Sequence, residues 1–238
     1  MTEMMWRYLI NTFEVNTEGS NVKMLSLATD THAKLKNEIS DPGINVIFTA
    51  FDPFYDAYRQ ICINYDLAAG DYEGETLAFE TIIDSIPTEI RKWEAGVRFV
   101  YVEDSPEERA IFPDKRTPFL QGTYEDRISA MGTLAEKLSS DPLLAEVHAV
   151  VQTFYNTALS ARLAQQGEEG GLGELSDLRE NQRLITADEM YGVLGRLMYK
   201  FRKDRDQVER FFDLSLLRET GDDGEEPPPE EPPAEPLP

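Results

Sequence analysis

Apolar residues recur at steps of three and four over most of the chain, the spacing that places them on one face of an α-helix. Leu25, Ala28, His32, Leu35 and Ile39 form one such stripe, and Ile128, Met131, Leu134, Ala135 and Leu138 form another. Each leads into the same tripeptide, Ser40-Asp41-Pro42 and Ser140-Asp141-Pro142. Asp accepts hydrogen bonds from free backbone N–H groups at a helix start, and Pro tolerates the first helical position because it has no N–H to satisfy. Asp-Pro therefore predicts a second helix in each half. The first carries Ile44, Ile47, Phe48, Phe51, Phe54, Tyr55, Tyr58, Ile61, Cys62 and Tyr65, and the second Leu143, Val147, Val150, Val151, Phe154, Ala158 and Ala161. Pro53 predicts a kink in the former.

A stretch rich in glycine and acid follows in each half, residues 69–74 and 167–173. Glycine favours turns, so both stretches read as hairpins before a third helix. One third helix contains Phe79, Ile82, Ile83, Ile86, Ile90 and Trp93, with Pro87 as a second kink. The other contains Leu184, Ala187, Met190, Tyr191, Leu194, Leu197, Met198 and Phe201. With Phe54-Tyr55 matching Phe154-Tyr155 at the same offset, the reading is an internal duplication. The expected fold is all-α, an antiparallel helical bundle of two tandem three-helix units.

The expected organisation is an N-terminal segment over 1–20, a first helical repeat over 21–96, a linker over 97–123, a second repeat over 124–203, a short helix over 204–218 and an acidic Pro-rich tail over 219–238. The two repeats are read as packing into one compact domain. Val97–Val102 reads as a strand or extended segment, and the rest of the linker as an irregular crossover. The tail holds eight acidic residues and no base, a composition that predicts disorder.

The net charge is −22, from 45 acidic and 23 basic residues. Such a surface repels phosphate backbones, so direct nucleic-acid binding is not expected. A single cysteine excludes a disulfide within the chain. No signal sequence and no apolar run of membrane-spanning length is read, so a cytoplasmic protein is expected.

Candidate chemistry is sparse. The two histidines, His32 and His148, lack metal-ligand spacing, and there is no Cys-x-x-Cys, nucleophile elbow or phosphate-binding loop. No cofactor, metal or catalytic residue is assigned. Cys62 lies in an aromatic core stripe and reads as an inert thiol. The basic pair Lys115-Arg116, with Arg109 nearby, reads either as an anion or partner contact or as local pairing with Glu107, Glu108 and Asp126. A second basic group, Lys200, Arg202, Lys203 and Arg205, complements the negative end of the last long helix.

The leading functional expectation is a non-enzymatic protein that binds other proteins or forms part of a larger assembly, with homo-oligomerisation open. Its candidate contacts are Trp6, Tyr8, Phe13, Lys115, Arg116, Phe211 and Phe212. One alternative is a small-molecule binder or enzyme with a pocket lined by Tyr55, Tyr58 and Tyr65. The other is an acidic mimic of nucleic acid.

Overall fold

The computed structural model describes residues 11–14, 20–204 and 206–217. Trp6, Tyr8 and the acidic tail lie outside them. Among the described residues there are helices and no strands. The order is α1 (Ser20–Asn37), α2 (Pro42–Val100), α3 (Pro106–Ile111), α4 (Thr117–Leu120), α5 (Tyr124–Ser139), a 3-10 turn (Pro142–Leu144), α6 (Ala145–Lys200), α7 (Asp206–Glu209) and a 3-10 turn (Leu214–Leu217).

The glycine-rich stretches are not hairpins. α2 runs for 59 residues and α6 for 56, each helical straight through its glycines. What reads as two helices per half is one. A glycine inside a helix costs only about 1 kcal/mol relative to alanine. Each fully buried large apolar side chain in the flanking turns contributes about 1.5–3 kcal/mol, so the flanks hold the centre helical. Val97 to Val100, expected as extended, are the last turn of α2. The linker is also more ordered than expected, since it contains α3 and α4.

Two compact units result, and neither is a half of the chain. Unit 1 comprises the described residues of Met1–Ile63 and Asp177–Pro238, and unit 2 is Asn64–Ser176. Each takes a segment of both long helices. The core of unit 1 gathers Leu27, Leu35, Phe51 and Tyr58 with Met190, Val193 and Leu197. That of unit 2 gathers Phe79, Ile90 and Trp93 with Met131, Leu138 and Val151.

Both Asp-Pro caps form, Asp41 at the start of α2 and Asp141 at the 3-10 turn that precedes α6, and each gains a donor at or just past the end of the other long helix. In unit 1, Asp41 Oδ1 accepts from the Gly43 and Ile44 amides at 2.7 and 3.2 Å, and Lys200 Nζ reaches Asp41 at 2.7 Å. In unit 2, Asp141 Oδ1 accepts from the Leu143 amide at 2.9 Å, and the Tyr101 hydroxyl donates to Asp141 Oδ2.

Pro53 and Pro87 sit inside α2 without ending it. Pro87 has no N–H, so the Ile83 carbonyl four residues earlier loses its helical donor. Arg127 Nη2 supplies one at 3.2 Å, while its Nε donates to the Phe119 carbonyl at 2.9 Å. One guanidinium thus repairs α2 and fastens the end of α4.

α2 packs tightly on α6 in unit 2 at Gly96, where an added Cβ would lie 2.7 Å from Val147 Cγ2. Gly170 has nothing within 4 Å of that position. Gly96→Ala therefore gains about 1 kcal/mol of helix propensity but incurs an overpacking cost of about 1–3 kcal/mol. Gly170→Ala gains about 0.5–1 kcal/mol with no clash. Urea unfolding is expected to show Gly96→Ala at or below the parent stability and Gly170→Ala above it.

Candidate functional site

The linker folds over unit 2 and leaves a cleft of about 300 Å³. Phe112, Phe119 and Leu134 supply its apolar floor, and Ser129, Thr133, Asp114, Asp126, Lys115 and Lys137 its polar wall. Cations of this region mostly anchor backbone or buried acid. Lys137 Nζ donates to the Ile111 carbonyl at 3.3 Å. Arg116 donates through Nε and Nη2 to Glu94 Oε2, at 2.8 and 2.5 Å. Glu94 is buried on α2, and its hydrogen bond to the guanidinium raises the Arg116 pKa above its ordinary value.

The expected local pairing of the basic cluster therefore holds in kind but not in partner. Arg116 meets Glu94, 22 residues earlier, not Glu107, Glu108 or Asp126. Arg109 meets Asp104 at 3.6 Å, and Glu108 is taken by Arg98 at 3.2 Å. Asp126 closes a capping box with Thr123 at the start of α5. Lys115, exposed and in the left-handed region at φ 52°, forms no ion pair among the described residues. It is the one member of the expected contact set left free at this cleft.

Unit 1 holds a buried polar group. The Tyr58 hydroxyl donates to the Asn21 carbonyl at 2.9 Å, and burial, with the Cys62 thiol beside it, pushes the phenol far above its usual range. Fully buried Arg183 donates to both oxygens of Glu180, at 2.6 and 2.9 Å, and holds that carboxyl below its ordinary value. His32 Nε2 lies 2.7 Å from Asp52 Oδ1, its ring stacked on Tyr55 at 4.1 Å. Tyr55, Tyr58 and Cys62 are core side chains of unit 1, while Tyr65 is a half-buried residue of unit 2. Among the described residues no group of three or more His, Cys, Asp or Glu is placed to hold a metal.

Phe13 and Phe211, expected as exposed anchors, are 1% exposed. Phe13 packs on half-buried Phe212 at 5.4 Å, and Phe211 stacks on Phe201 at 6.2 Å. Phe13 and Phe211 join the core of unit 1, with Phe212 packed against it, because burying such rings outweighs any benefit of leaving them in water.

One open apolar surface lies elsewhere. In unit 1, the first turns of α2 and the last turns of α6 flank an open groove of about 660 Å³. Gly43, Val46 and Ile47 form one wall, and Gly192, Gly195 and Tyr199 the other, with Arg196 and Lys200 at the rim. Tyr199 is 74% exposed and Val46 68%. Nothing lies within 4 Å of a Cβ added at Gly195, and only Glu189 Oε2, at 4.0 Å, approaches one at Gly192. Sequence reading missed this groove, since glycines leave no mark on a hydrophobic pattern.

No family model, no curated protein and no solved structure matches this chain. No helix among the described residues is long and apolar enough to cross a membrane.

Lys200 lies against the groove and holds the Asp41 cap. Its ammonium, with the Gly43 and Ile44 amides, keeps the Asp41 carboxyl below its ordinary value of 3.8. A carboxyl lowered by folding contributes stability above its unfolded value and loses it as pH falls through the folded one. Stability of the parent is thus expected to fall with acid below about pH 4 partly through Asp41. Asp41→Asn should lower stability at pH 7 and flatten this acid limb, as read by urea unfolding at several pH values.

Proposed function

We propose that the protein is a non-enzymatic helical module that binds protein surfaces through the open groove of unit 1. The observation that carries this reading is the exposure of Tyr199 and Val46 beside the Gly192–Gly195 channel. Interface centres are enriched in aromatic residues and Arg and depleted in acid, with an apolar middle and a polar rim. The groove has that composition on a chain of net charge −22. The strong polar groups otherwise serve the fold: Arg116, Arg127, Lys137 and Arg183 away from the groove, and Lys200 beside it, each fasten a carbonyl or a carboxylate. Of the expected contacts, Lys115 remains a peripheral one.

A photo-crosslinking residue at position 199 of the full chain, expressed in its own cells, tests the reading. Protein adducts are expected at position 199 and not at exposed, acidic position 80 on α2. Equal labelling at both positions, or none at 199, contradicts it.

A further inference from the structure

The exposed face of α6 carries a pattern that complements itself when reversed. Asp188, Gly192, Gly195, Tyr199 and Arg202 follow one another at steps of four and three, which places them on one stripe. Arg202 and Lys203 stand in the turn just past the end of α6. Acid lies at one end of the stripe, base at the other, and a channel and a protruding ring lie between.

We propose that this face binds a second copy of the chain, the two α6 helices running antiparallel about a two-fold axis between Gly195 and Arg196. The proposal rests on the reading of the groove as a protein-binding surface and names its occupant. In this register Tyr199 enters the channel over the partner's Gly192, and Gly195 makes room for the partner's Arg196. Arg202 meets the partner's Glu189, and Lys203 meets the partner's Asp188. An isologous contact repeats each pair, so two rings fill two channels and four ion pairs close the ends.

The charges select this arrangement. Arg196, Arg202 and Lys203 form no ion pair among the described residues. Arg202 rests over its own Tyr199 ring at 5.3 Å, so ring and guanidinium already stand together on the exposed face. Asp188 accepts one hydrogen bond, from Asn11 at 3.0 Å, which leaves its second oxygen for a partner. A parallel pairing would set base on base and ring on ring. Each copy carries −22 overall, but repulsion between distant surface charges is screened beyond about 8 Å at physiological salt. Opposed charges at the contact itself feel much less screening.

Sedimentation velocity of the purified full chain at physiological salt tests the proposal. The parent is expected at twice the chain mass at micromolar concentration. Arg202→Glu with Lys203→Glu, and separately Asp188→Lys with Glu189→Arg, are each expected to weaken self-association at least about tenfold. Mixing the two variants restores a dimer, because every reversed cluster then meets its opposite. Circular dichroism of each variant checks that the helices persist, and Tyr199→Ser supplies a variant without charge change that should also be monomeric. A parent that stays monomeric, or a dimer indifferent to all three variants, overturns the proposal. Adducts at position 199 to other proteins, with a monomeric parent, would remove the second copy as occupant and leave the groove reading standing. Absence of adducts and of dimer would remove both.

Discussion

Unit 2 depends on α2 and α6 remaining helical through their weakest turns, which lie within it. Unit 1 needs the beginning of α2 and the end of α6, and unit 2 needs the remainder of each. The central turns contain Gly70 and Gly74 in α2, and Gly167, Gly170, Gly171 and Gly173 in α6. None of these glycines is needed for close approach, since nothing lies within 4 Å of a Cβ at any of them. Helical propensity there is poor, so cooperativity with the packed flanks supplies what local sequence does not. In unit 2 a side-chain bond helps as well: Gln165, buried on α6, donates to Thr76 Oγ1 at 3.0 Å.

The ends of the long helices are secured by a different chemistry. Asp41 and Asp141 cap backbone amides and at the same time bind Lys200 and Tyr101. A capping carboxylate has four lone-pair sites, so it can serve the backbone and a neighbouring element together. Arg127 does the equivalent for carbonyls, meeting the acceptor that Pro87 leaves unserved. These side chains finish what the backbone of a neighbouring element leaves open. Under the proposed reading, recognition falls to the apolar groove of unit 1 and to the charges flanking it.

Much of the fold was legible in the sequence. The five-residue stripe of α5, from Ile128 to Leu138, is buried as read. In α1 the stripe was read slightly off: Met24, Leu27, Ala28, Thr31 and Leu35 are buried, while Ile39 is exposed. The Asp-Pro caps were legible because their physics is local. The glycine tracts were misread for the same reason, since a local turn signal lost to burial on both sides of it. Phe13 and Phe211 were misplaced because whether a terminal aromatic docks on the core or faces water is a tertiary fact. The groove was hidden because it arises from two segments about 150 residues apart in sequence, with Gly192 and Gly195 defining empty space.

Continuity of the two long helices is the claim on which this account stands. Backbone NMR assignment of residues 66–76 and 165–175 measures it directly through Cα chemical shifts. Uninterrupted helical displacement across all six glycines is the predicted result. Random-coil values, or a turn signature at Gly70–Gly74 or Gly167–Gly173, would contradict it.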